Sequence, residues 1–160
     1  MIRSAVLALV LAVGACSPGS GGAAPVSTEA SPALHPVSGL EVTTLRIRHG
    51  SAVHRFRVEL ALTGAQQARG LMFRTVMGAD EGMLFPMNPP RPASFWMRNT
   101  VLPLDIVFVG TDGRILNIAA NAVPYDESRL FSLGPVSAVL ELNGGRAAQL
   151  GIGPGDPVEW

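Results

Sequence analysis

The sequence predicts an all-β, mainly antiparallel, sandwich-like barrel carrying one or two short helices. Three observations predict it. The dominant hydrophobic period is two. The apolar runs are short and punctuated by many of the 18 Gly and 13 Pro residues. Only two stretches carry helical signals, and both are short.

Taken in order, Leu45 and Ile47 alternate with Arg46 and Arg48, and His49-Gly50-Ser51 reads as a turn. Phe56, Val58, Leu60 and Leu62 then alternate with Arg55, Arg57 and Glu59, which completes a half-buried hairpin. Thr63 followed by Gln66 is a capping box for a helix over Gly64–Arg69, with Gly70 as its breaker. Residues 82–87, 94–98, 104–109, 114–120 and 136–142 read as further strands, and Gly110-Thr111-Asp112-Gly113 as a hairpin turn. A second helix is predicted over Arg146–Leu150, stopped by Gly151, before a last strand at Pro157–Trp160. No internal repeat is visible.

The N-terminal part has a different character. Arg3 is followed by an apolar run from Ala5 to Val13, too short for a bilayer crossing of about 20 residues, which is the pattern of a secretory signal peptide over residues 1–16. Val13-Gly14-Ala15-Cys16 resembles the bacterial lipobox, which implies that Cys16 becomes the acylated N-terminus. Ser17 after it leans, by the sorting rule of lipoproteins, toward the outer membrane. Residues 17–38 are dominated by Gly, Pro, Ser, Ala and Thr and read as a flexible linker with a reach of roughly 25 Å. The expected layout is thus a leader, a tether and one β-rich domain over 39–160. It places the protein in the cell envelope, anchored to a membrane through Cys16 and facing the periplasm or exterior.

Composition excludes several functions. The 12 cationic residues are all Arg and balance 12 acidic ones. With no Lys there is neither a Schiff-base nor a P-loop lysine, and a net charge of zero argues against a nucleic-acid partner. The single Cys lies in the leader, so no disulfide framework, CxxC zinc site or thiol nucleophile is expected in the domain. His35, His49 and His54 form no metal-binding or hydrolase motif. No cofactor or metal is expected. Met72, Met77, Met83, Met87 and Met97 are unevenly spaced and read as core filler rather than as Cu(I) ligands.

Three strings go beyond propensity: R-G-L-M-F-R at 69–74, G-M-L-F at 82–85 and F-W-M-R-N-T-V-L-P-L-D at 95–105. With V-L-E-L-N-G-G at 139–145 and G-I-G-P-G-D-P-V at 151–158, they resemble the domain of unknown function 192 family over about residues 53–158. The resemblance implies a compact all-β sandwich-like barrel with short helices. It implies no agreed biochemical activity.

The residues themselves nominate a site. On a strand–turn–strand reading of 95–105, Phe95, Met97 and Asn99 share one face, and Trp96, Arg98 and Thr100 the other. Asp105 interrupts an apolar run, where a carboxylate needs partners. Arg69, Arg74 and Arg98 are the expected cations, with Asn99 and Thr100 as donors. Two readings stand: Asp105 caps the turn at 99–103, or Asp105, Asn99 and an Arg line a pocket. Glu141 is a second charge inside an apolar strand; it faces solvent or an Arg, or works with Asp105 as an acid/base pair. Trp96 suits stacking on a flat ligand or the core.

The candidate pocket is therefore Arg69, Arg74, Trp96, Arg98, Asn99, Thr100, Asp105 and Glu141. The function expected is binding of a small polar ligand, an envelope polymer or a protein partner. The alternatives are a hydrolase-like or saccharide-acting enzyme using Asp105 or Glu141, and a purely architectural role in the envelope.

Overall fold

The computed structural model describes residues 33–160. The leader, Cys16 and most of the expected linker lie outside the described residues. Seven strands form one mixed, curled sheet: β1 (Val42–His49), β2 (Ala52–Leu60), β3 (Glu81–Phe95), β4 (Leu104–Gly110), β5 (Ile115–Ala122), β6 (Leu130–Asn143) and β7 (Val158–Glu159). Their order is β5-β4-β6-β3-β2-β1-β7. Every pairing is antiparallel except β2 with β3. The two edges approach at one corner, where an isolated bridge joins Arg114 to Pro157 and Val158 N–H donates to Gly113 O at 2.8 Å. This is the all-β barrel-like fold that the alternation predicts, with two short helices.

A parallel pair needs a crossover. Here residues 61–80 supply it, including α1 (Gly64–Arg69). Thr63 accepts from Gln66 N–H while Gln66 Oε1 accepts from Thr63 N–H, so the expected capping box forms. The helix α2 (Arg146–Leu150) follows β6 and ends at Gly151, which has φ +72°.

The centre of the sheet is buried on both faces. Leu45, Ile47, Phe56, Val58, Val107, Leu140 and Leu142 pack on the concave side together with Ala147 of α2. Met83, Phe85, Met87, Met97, Ile106, Phe108 and Val139 pack on the other side with Leu71 of the crossover. β4 shows why: its run from Leu104 to Val109 sends alternate residues into each core, so every position is buried. Met77, Met83, Met87 and Met97 are core residues of the outer face.

Three local expectations are corrected. The strands expected at 82–87 and 94–98 are one strand, β3, with register shifts between Pro86 and Arg91 and again between Pro92 and Ser94. β2 pairs only with Glu81–Leu84, so the rest of β3 has one free edge where its prolines are tolerated. β3 also stops at Phe95, and residues 96–103 are a loop rather than a continuing strand. Asn99 has φ +54° and Thr100 N–H donates to Met97 O at 3.0 Å, a turn that asparagine tolerates and that ends the alternation. Finally, Leu34 and His35, expected in the linker, fold onto the domain: Leu34 bridges Glu41, and His35 Nε2 lies 3.6 Å from Glu59.

Candidate functional site

The crossover and the 96–100 loop do not cover the outer core completely. Between them lies a cavity of about 470 Å³, a size usual for small-molecule sites. Its floor is the sheet, where Phe85, Met87, Ala93 and Phe95 present apolar surface. Phe95 meets Phe85 edge-on at 5.1 Å and Phe108 at 6.3 Å, which fixes the ring at the strand end. One wall is Gln67–Met72, from α1 and the turn after it. The other contains Trp96, Arg98 and Thr100.

Glu141 is the polar residue of the floor. Strand register places it between Met83 of β3 and Ile106 of β4, on the outer face. It is 5% exposed, lines the cavity, and its Oε2 has no hydrogen-bond partner. The backbones are close here: a Cβ on Gly82 would sit 2.5 Å from Glu141 O, so only glycine allows β3 and β6 this approach. Removal from water penalises the charged form and pushes the Glu141 carboxyl up to about 8. At neutral pH the floor therefore carries a neutral carboxylic acid, a donor as well as an acceptor.

The rim is cationic. Arg69, Arg91, Arg98 and Arg129 line the cavity with their side chains toward solvent. Among the described residues, Arg98 has a carboxylate within reach, Glu127 at 4.0 Å, and the other three have none. The Leu130–Phe95 pairing brings Arg129 opposite Trp96. Its guanidinium lies 4.1 Å from the indole centroid, and that of Arg98 lies 5.3 Å from it.

Of the residues nominated from sequence, Arg69, Trp96, Arg98, Thr100 and Glu141 thus meet at one cavity. Arg74, Asn99 and Asp105 do not. Arg74 is half-buried and makes a two-pronged ion pair with the buried Glu59, at 2.9 and 3.0 Å, beside His35. Asn99 donates through its side chain to Met72 Sδ at 3.9 Å, while its carbonyl accepts from Phe73 N–H at 2.8 Å.

Asp105 corrects both readings made of it. It pairs with neither an arginine nor the 99–103 turn. Its Oδ1 accepts from the Asn121 and Gly145 amides, both at 2.9 Å, and Oδ2 from the Ala147 amide at 2.8 Å. Gly145, the N-cap of α2, has no side chain to cap with, so Asp105 caps that helix from another strand. It also lies opposite Leu142 while Glu141 lies opposite Ile106, so the two carboxyls occupy opposite faces of the sheet. They form no acid/base pair.

Arg91 and Arg129 were not nominated from sequence. Each sits in a polar or proline-rich stretch that reads as a loop, and only the long β3–β6 pairing brings them to the cavity. A second cavity, of about 720 Å³, lies across the Arg69–Met72 wall and includes Phe73, Arg74 and Met83. Among the described residues no group of His, Cys, Asp and Glu could hold a metal ion.

Comparisons with known proteins agree with this fold. No curated protein matches the chain. A protein of unknown function from Novosphingobium aromaticivorans, known from its crystal structure, is 61% identical; the match covers 88% of this chain and all of the other, with a TM-score of 0.79. A Sinorhizobium meliloti protein, named a candidate transcription regulator, is 44% identical over 75% of this chain and 94% of its own, with a TM-score of 0.73. The profile of DUF192, described as "Uncharacterized ACR", matches residues 45–160, and the chain belongs to that family.

Proposed function

We propose that the protein is a lipid-tethered domain of the cell envelope that binds a small anionic molecule in the Glu141 cavity and does not transform it. The observation that carries this reading is the set of four arginines, Arg69, Arg91, Arg98 and Arg129, that line one concave site in a chain of zero net charge. Four cations with one carboxylate, Glu127, within reach of them attract an anion, and the planar guanidinium favours carboxylate or phosphate. The Arg129–Trp96–Arg98 stack holds two of the four in place. These arginines line a cavity, which suits a small anion better than a nucleic-acid duplex.

The test is a thermal-shift screen of the purified protein against small carboxylates and phosphates. A ligand at a hundred times its Kd stabilises by about 2.7 kcal/mol. Arg129→Ala should weaken that ligand about tenfold or more. No shift with any anion, or a shift indifferent to Arg129, would overturn the reading. For the tether, Cys16→Ser should release the protein from membranes; continued membrane association would rule out lipid attachment at Cys16.

A second reading rests on Glu141 alone. A carboxyl still protonated at neutral pH is fit to act as a general acid. Asp105, with both oxygens occupied by backbone amides, is not available as its partner. Turnover of a bound anion that disappears in Glu141→Gln would favour this reading over simple binding.

A further inference from the structure

The anion-binding reading accounts for the rim and leaves the floor unused. Glu141 Oε2 is buried in the cavity without a partner, beside Met83 and Ile106 in the sheet. Thr100, a lining hydroxyl, donates to Arg98 O at 3.2 Å. Around Glu141 the floor and lower wall are apolar: Leu71, Phe85, Met87 and Phe95. Glu141 is thus a buried polar group set among hydrocarbon, while the arginines stand at the exposed rim.

Resting on that reading, we propose that Glu141 donates a hydrogen bond to an uncharged acceptor at the buried end of the ligand. The cavity then takes a molecule with a carbonyl-type acceptor, a flat apolar body and an acid group, in that order from floor to mouth. The acid group meets the arginines, where water still reaches it. The body lies against the Phe85 and Phe95 rings. The acceptor satisfies an oxygen that otherwise stays unpaired, at a cost of about 1 to 3 kcal/mol for such a buried group. An anion is the wrong partner at the floor, because the surrounding hydrocarbon already opposes charge on Glu141 itself.

The charged groups facing Glu141 are few. Arg69 comes from α1, Arg91 from β3, Arg98 from the loop after it, and Arg129 from the segment leading into β6. Beyond Met83, Glu59 on β2 is held by Arg74 and His35. Raising the pH through about 8 ionises Glu141, removes the donated proton and places a negative charge against the acceptor.

A matched pair of probes tests this: 4-acetylbenzoate, which carries the acceptor, and 4-isopropylbenzoate, which has nearly the same shape without it. Calorimetric titration of the purified protein at pH 6.5 should show about a tenfold preference for the acetyl compound, the worth of one well-formed hydrogen bond. Glu141→Leu should abolish the preference. Glu141→Gln, whose amide still donates, should keep it and make it independent of pH. In the unaltered protein the preference should fade above pH 8.

Equal or tighter binding of the isopropyl compound, with both still weakened by Arg129→Ala, overturns the proposal and leaves the anion-binding reading standing. Failure of both benzoates to bind at millimolar concentration overturns the proposal, and the anion-binding reading falls with it only if no small carboxylate or phosphate shifts the melting of the protein.

Discussion

Glu141 and Asp105 are both acidic, both interrupt apolar strands, and behave in opposite ways. Glu141 gains no hydrogen bond at Oε2 and is kept neutral by burial. Its unfolded value is 4.5 and its folded value about 8, so between these pH values the folded state holds a proton that the unfolded state has lost. Its contribution is therefore complete below pH 4.5 and declines as pH rises toward 8. At 1.36 kcal/mol per pH unit, the loss at pH 7 is roughly 3 kcal/mol. Glu141→Gln should be more stable than the unaltered protein at pH 7 to 8, and should flatten the decline in chemical denaturation between pH 5 and 8.5. Asp105 is the reverse case, saturated by three amides. Asp105→Asn turns one acceptor into a donor facing an N–H, and should cost roughly 3 kcal/mol in the same measurement. Sequence shows that each carboxyl needs an explanation, because a charge in an apolar run is expensive. It does not show which explanation applies, since Asp105's partners lie 16 to 42 residues away.

At the scale of elements, the hairpin β1–β2, the capped helix α1 and the strands β4 and β5 are legible because their signals are local: alternation, a capping box, a Gly-rich turn. The loop at 96–100 is not. Its residues alternate like a strand, and the turn is imposed by distant partners: Met97 N–H donates to Asp126 O, and Asn99 and Thr100 carbonyls accept from Phe73 and Tyr125 N–H. Phe73 and Tyr125 both adopt φ +63° and both are 61% exposed, a backbone state that costs bulky L-residues about 1 to 2 kcal/mol. At each position glycine should therefore give a more stable protein than alanine, by roughly 1 kcal/mol in thermal denaturation. That is the opposite of the usual order in helices and strands. The loop that walls the cavity is thus clamped from both sides by strained aromatic residues.

Over the whole molecule, the centre of the sheet is buried on both faces, which explains why β4 and the adjoining parts of β3 and β6 read as apolar runs and why periodicity alone does not say which face carries a site. The cavity lies on the outer face, where the parallel β2–β3 connection must cross and does not seal the surface. Five of eight nominated residues line it, because family strings such as F-W-M-R-N-T lie at its edge. Arg91 and Arg129 were beyond reach because their place depends on the β3–β6 register, which sequence does not give.

Asp105 has a consequence for how the domain breathes. The amides of Asn121, Gly145 and Ala147 sit at a strand end and at the start of a five-residue helix, positions that normally fray and trade their hydrogens with solvent readily. One buried carboxylate ties all three. In deuterium exchange these amides should be as slow as those of the central strands and should exchange through the same global opening. In Asp105→Asn they should become fast while the centre of β6 remains protected at the level set by the variant's lower stability.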